Sequence, residues 1–283
     1  MKPFHFTFLL FILAIGIACP AQAQFLSDNG LFEVDVNRGC SGTTIQITNL
    51  YTATCDCTAG CSCDFDYNGD GNFEVKGMPF EYTYDTPGIY RLEILFSGTS
   101  DFITITIEDK PAPEFEIYSC AGQVVQMNIP DINYDAYEID YGDGTVVVIN
   151  QGDPIPSHAY PDNTTRTIAV RGLDTGSANN CPVATRDVNP LLNLPAPSIT
   201  SVTPLDPGSL TLGFTMQDNL LYELRMSENN GPYTSIATYT NAITTDDISG
   251  LDLENNYYCF QLVAVDPCGG PESASTIACS ILL

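Results

Sequence analysis

Asp64, Asp66, Asn68 and Asp70 place side-chain oxygens at alternate positions around Gly69. Hard oxygen ligands on a sharply turning backbone are what a calcium loop uses. A bidentate acid at the twelfth position from Asp64 would complete such a loop. That position is Val75, and Glu74 falls one residue short. The same residue types also build a tight turn without a cation, because Asp side chains bind nearby amides and Gly accepts positive φ. Asp140 and Asp143 bracket Gly142 in a second acidic turn, where two carboxylates make a thinner ligand set. No cofactor is expected, and calcium at Asp64, Asp66, Asn68 and Asp70 is the one candidate.

A second cluster is Cys55-x-Cys57-x3-Cys61-x-Cys63, symmetric about Ala59. Folded as a hairpin it sets Cys57 opposite Cys61 and Cys55 opposite Cys63, which predicts those two disulfides. A thiolate metal site is the alternative. For catalysis the inventory is thin. After residue 23 there is one histidine, His158, and no Gly-x-Ser-x-Gly elbow accompanies it. No catalytic residues are expected, and the chain does not read as an enzyme.

These residues sit in a repeating frame. Cys40-Ser-Gly-x-x-Ile-Gln-Ile recurs as Cys120-Ala-Gly-x-Val-Val-Gln-Met, and each copy leads to a Gly-Asp-Gly turn and then an aromatic strand. From Cys40 to Asp70 is thirty residues, and from Cys120 to Asp143 twenty-three. The seven extra residues match the cysteine cluster, which is therefore an insertion in one copy. Pro-Ala-Pro at 111–113 and at 195–197 precedes fresh alternating runs, and proline stiffens such joints. The fold class expected is all-β: three tandem Ig-like or fibronectin III-like β-sandwiches after a cleaved signal peptide. The divisions are 1–23, 24–110, 111–194 and 195–283. Alternation predicts strands over Thr44–Leu50, Gly88–Phe96, Phe102–Glu108, Val124–Ile129, Tyr137–Asp140, Thr145–Ile149, Arg166–Arg171, Ser209–Thr215, Leu221–Met226 and Tyr257–Val265.

Asp64-Phe-Asp-Tyr-Asn-Gly-Asp-Gly followed by Phe80-Glu-Tyr-Thr-Tyr-Asp-Thr-Pro-Gly-Ile-Tyr resembles a PKD domain, an Ig-like sandwich. Ile139-Asp-Tyr-Gly-Asp-Gly-Thr with His158-Ala-Tyr resembles a second one, which departs from the pattern after Tyr160. From Leu251, Tyr258, Phe260, Leu262 and Ala264, with Phe214 where the family usually has Trp, the last piece resembles a fibronectin type III domain. The ending Ala264-Val-Asp-Pro-Cys-Gly-Gly-Pro-Glu-Ser is similar to that of large secreted surface proteins of gliding bacteria. The resemblance implies a non-catalytic extracellular adhesion or scaffold protein. The alternatives are a glycan-binding accessory protein and the N-terminal portion of a larger surface protein cut short.

The start of the chain supports export. Lys2 precedes an apolar run, Phe6–Ala18, too short to span a bilayer, and Ala21-Gln-Ala23 fits a cleavage site before Gln24. Lipidation at Cys19 is the rival reading. Cleavage leaves ten of eleven cysteines, an even number suited to disulfides. Nine basic against thirty-five acidic residues give −26, and loss of Lys2 makes it −27. Such a field repels nucleic acid and anionic lipid. The expected partner is an extracellular protein or polysaccharide, with no nucleic acid and no transmembrane span, and the location secreted or cell-surface. The lack of Trp counts against a sugar platform, although fifteen Tyr could substitute.

The remaining cysteines pair by register and by parity. A hairpin with Ala264 opposite Ala274 sets Cys259 opposite Cys279, on the face away from the core with Gln261 and Val263. Cys120–Cys181 is predicted by parity alone, as the two cysteines of the middle piece. Cys40 and Cys268 are then free thiols or sites of an intermolecular link.

Overall fold

In the computed structural model, the residues described are 24–51, 63–76, 80–96, 98–178 and 180–280. They form strands and turns, with no helix. The signal segment, Cys55, Cys57 and Cys61 lie outside them. Contacts divide the chain into two compact units. One comprises residues up to Asn37, with Ile45–Tyr82 and Arg91–Thr104. The other comprises Arg38–Thr44, Thr83–Tyr90 and Ile105–Leu283.

In the first unit, Phe32–Val34 pairs with Phe25–Leu26 on one side and with residues 47–49 on the other. Cys63–Asp66 pairs with Val75–Lys76 across the acidic turn, and through Cys63↔Phe96 and Asp66↔Glu93 with the following long strand. Alternation buries Phe32, Val34, Ile45, Ile47, Phe65, Leu92, Ile94 and Phe96. Asp101 is a buried charge satisfied in full. It accepts hydrogen bonds from the Ser27 hydroxyl at 2.5 Å, from the amides of Asn29 and Leu31, and from its neighbour Phe102. Burial opposes the charged form, but these donors hold its pKa below the ordinary value.

In the second unit, two hydrophobic cores each lie between two antiparallel sheets. One sheet pair is Glu116–Cys120, Val124–Asn128 and His158–Ala159 against Val146–Asn150, Ala136–Asp140, Arg166–Leu173 and Val183–Val188. Phe115, Val125, Met127, Tyr137, Ile139, Ile168 and Val170 fill it. The other pair is Ser198–Asp206, Ser209–Thr215 and Thr245–Ser249 against a sheet centred on Leu221–Glu228 and Tyr258–Val265. Leu210, Leu212, Phe214, Tyr222, Leu224, Phe260 and Leu262 fill that core. Tyr258 opens the last long strand, and its hydroxyl accepts from the Asp252 amide at 3.1 Å. That is the corner bond of Ig-like sandwiches.

Each of the ten expected strands is a strand, with ends displaced by a few residues at most. The third-region hairpin needs correction in register. Ala264 lies opposite Ser273, and Val263 opposite Ala274. Cys259 still faces Cys279, because the strand breaks after Ala274 and takes up one residue before Ala278. Ser275 marks the break: its hydroxyl accepts from the Leu262 amide at 3.0 Å and donates to Thr276 O. Cys259 and Val263, expected to face outward, are buried, so this strand is covered on both faces.

Candidate functional site

The features that organise the second unit are two disulfides. Cys40 is bonded to Cys181 and Cys120 to Cys268. This overturns the expected Cys120–Cys181 pair and the expectation that Cys40 and Cys268 are free. Parity assumed that partners lie within one piece of chain. Instead each bridge joins residues on opposite sides of a Pro-Ala-Pro tripeptide. Cys259 is bonded to Cys279, with Cα atoms 4.0 Å apart. Cys63 is also in a disulfide, and the expected Cys55–Cys63 and Cys57–Cys61 bridges otherwise fall outside the described residues.

Local polar chemistry brings each pair together. At the Cys40–Cys181 bridge the Asn180 side chain acts as a clamp. Its Oδ1 accepts from the Cys40 amide at 3.1 Å, and its Nδ2 donates to Cys40 O at 2.9 Å and Ser41 O at 3.2 Å. The Ala178 amide donates to Arg38 O at 2.8 Å. Gly39 is required here, since a Cβ would lie 2.0 Å from Thr43 Oγ1. An ion network adjoins this bridge. Lys110 Nζ binds both Asp174 oxygens at 2.7 Å and Asn133 O at 2.8 Å, and Arg38 grips Glu108 through two bonds. The Arg38 guanidinium beside Glu108 holds that carboxyl below its ordinary pKa. At the Cys120–Cys268 bridge the buried Asp266 carboxylate accepts from the Ala121 amide at 3.0 Å and the Cys268 amide at 2.9 Å. It therefore positions both cysteine-bearing segments. The Ser119 amide donates to Asn219 O, and the Gly122 amide to Leu192 O.

The first acidic turn is organised by Asp66. Its Oδ1 accepts from Gly69 N at 2.7 Å and its Oδ2 from Gly71 N at 2.9 Å. Asn68 and Asp70 likewise cap the amides of Asp70 and Asn72. Asp66, Asp70 and Glu74 each bring one ligand atom within 4.8 Å of the others. Asp64 is outside that group. It lies inside the strand opposite Lys76 and Leu95, whereas Asp66 sits at the strand end where the chain turns. The trio that could hold a cation thus contains Glu74 in place of Asp64. The acidic cluster alone assigns no metal, since these bonds also complete the turn.

The second turn carries a His–Asp pair. His158 Nε2 lies 2.8 Å from Asp143 Oδ2, and the two side chains are 15% and 14% exposed. The imidazole stacks on Tyr141 at 4.0 Å and meets Tyr160 edge-on. The Tyr160 hydroxyl donates to Tyr141 O at 2.9 Å. Burial opposes ionisation of Asp143, but bonds from His158 and the Thr145 amide overcome it and pull the carboxyl down to about 2. Among the described residues no Ser, Thr or Cys side chain is hydrogen-bonded to His158. The stack has a counterpart in the first turn, where Tyr67 and Tyr82 stack at 4.0 Å and 9°. Sequence reasoning missed this repeated stack. Its signal was present: an aromatic residue two positions before Tyr84 and before Tyr160, and a Tyr entering each turn.

Of the fifteen tyrosines, Tyr82 and Tyr233 are exposed, which makes no row along a sheet face. Among the described residues no helix is long and apolar enough to cross a membrane.

No protein-family model matches the sequence, and no curated protein matches it. Among solved structures, the FN1–FN3 domains of chicken CNTN1 are 12% identical over 86% of this chain and 95% of that one, at a TM-score of 0.31. A two-domain fibronectin type III segment from chicken tenascin is 14% identical over 62% of this chain and 99% of that one, at a TM-score of 0.28. Likenesses this distant carry no argument about what the chain binds.

Proposed function

We propose that the chain is an exported, non-catalytic scaffold or adhesion protein of the cell surface. In this reading it is built from two PKD-like modules, 24–110 and 111–194, and a fibronectin III-like module, 195–283. The observation that carries the reading is the pair of disulfides spanning the Pro-Ala-Pro tripeptides. A flexible tether needs no such bond. A spacer that must transmit force or present a surface at a fixed geometry gains from one, and each bridge ties together segments on opposite sides of a Pro-Ala-Pro tripeptide. Disulfides also persist where the environment is oxidising, which fits export. His158 fits a structural role better than a catalytic one, since it is held between two tyrosines and its Nε2 faces a carboxylate.

Two measurements test this. Labelling of intact source cells with a membrane-impermeant reagent should mark the chain, and labelling only after lysis would refute surface display. X-ray scattering should show a wider spread of dimensions for a Cys40→Ser, Cys181→Ser, Cys120→Ser, Cys268→Ser variant than for the native chain. Identical curves would refute the spacer role of the joints.

A further inference from the structure

The strand Val146–Asn150 is an edge strand, pairing with Ala136–Asp140 on one side and, among the described residues, with no strand on the other. Its phase is fixed by two bonds, Tyr141 N to Thr145 O at 3.0 Å and Gln151 N to Asp135 O at 2.9 Å. Antiparallel ladders alternate, so Val147 and Ile149 bond inward to the sheet. The amides and carbonyls of Val146 and Val148 therefore point out of it. Their side chains are 53% and 58% exposed. Natural edges are usually blunted by Lys, Pro or a bulge. This one reads Val-Val-Val-Ile-Asn, with a regular register and none of these devices.

A cavity of about 270 Å³ adjoins the end of the same strand. Met127, Ile129, Ile149 and Ile155 supply its apolar lining, and Asn128, Asn150 and Asp153 a polar part that is the more exposed. Extended peptides that add to a sheet edge gain affinity from backbone bonds and specificity from such side-chain pockets. The surroundings are acidic. Asp143 precedes the strand, Asp153 follows it, and Glu138 and Asp140 lie on the neighbouring strand at register positions opposite Val148 and Val146. Arg171 pairs with Glu138 at 3.4 Å and offsets one of these charges.

We propose that this edge is a docking site for an extended segment of another protein. The segment adds as an antiparallel or parallel strand beside Val146–Asn150, places an apolar side chain in the cavity, and carries Lys or Arg at its ends. Charge decides the occupant: a second copy of this chain brings another −26, whereas a basic-flanked strand meets Asp140 and Asp153, with Asp143 already facing His158 and Glu138 facing Arg171. The inference is independent of the spacer reading above, which rests on the disulfides.

The test uses the intact, disulfide-bonded chain and two labelled peptides, Lys-Lys-Val-Ser-Val-Ser-Val-Lys-Lys and its Glu-flanked counterpart, followed by fluorescence anisotropy. The Lys-flanked peptide should bind, more weakly as salt rises. N-methylation at alternate peptide amides should abolish binding. Val148→Lys should weaken it at least ~10-fold, by placing a like charge on the edge. The methylated peptide needs no protein variant, so the claim stays testable if V148K lowers the melting temperature. Binding of neither peptide, equal binding of both, or binding unchanged by both methylation and V148K would overturn the proposal. A dimer in sedimentation that V148K dissolves would also overturn it, by giving the edge to a second copy.

Discussion

Removing the Cys40–Cys181 bridge should cost more than removing Cys259–Cys279, although the two bonds are chemically alike. The perturbation is Cys40→Ala with Cys181→Ala, compared with Cys259→Ala and Cys279→Ala. Alanine avoids burying a hydroxyl at Cys40, Cys181 and Cys259, each less than a tenth exposed, and is used at the exposed Cys279 for uniformity. The sequence separations are 141 and 20. Loop-closure entropy grows with the logarithm of that length, giving about 5 kcal/mol for the long loop and about 3 for the short one at 25 °C. The figure of about 5 is an upper value. Cys120–Cys268 overlaps the same stretch of chain and constrains it after the first bond is gone. The Asn180 clamp on Cys40 also remains in the variant. Urea unfolding followed by far-UV circular dichroism and by Tyr fluorescence reads the difference, the latter free of interference because the chain has no Trp. An equal or larger loss for the Cys259/Cys279 variant would refute the reasoning that the long bridge acts by closing a joint.

Three further outcomes follow from single contacts. Gly142→Ala should cost about 2–4 kcal/mol, since φ is +73° and the new Cβ would lie 2.5 Å from Thr167 O. Gly144→Ala, with φ +94° and no atom within 4 Å, should cost about half that, and equal melting temperatures for the two would contradict the close approach. Asp143 has a folded pKa of about 2 against an ordinary 3.8. Its contribution, cut by solvent screening to well under the about 2 kcal/mol of full linkage, is present above the unfolded pKa and lost as pH falls through about 2. Asp143→Asn should flatten the melting curve over that window, and an unchanged slope would show that other carboxylates carry it. Tyr258→Phe removes the acceptor of the Asp252 amide and should cost ~1 kcal/mol in thermal unfolding, with no effect meaning that water replaces it.

The long strands were legible because their side chains alternate: Gly88–Phe96 and Ser209–Thr215 lie where the pattern put them. Short ones such as Arg38–Cys40 were not, because Gly39 and the parallel partner Thr106–Glu108 leave no local pattern. The acidic turns were legible from Asp and Gly, but the group of three carboxylates was not. Asp64 is inside a strand and Glu74 returns from across the turn, which is a matter of pairing and not of spacing. Cys259–Cys279 follows from strand register, a local property. Cys40–Cys181 and Cys120–Cys268 depend on Asn180 and Asp266, each more than a hundred residues from one of the cysteines it positions. Counting cysteines within pieces could not reach them.

The most direct test of the account is a non-reducing peptide map of the native chain by mass spectrometry. It should yield one linked peptide pair containing Cys40 with Cys181 and another containing Cys120 with Cys268. A Cys120–Cys181 link, or free thiols at Cys40 and Cys268, would contradict the covalently locked joints on which the proposed scaffold role rests.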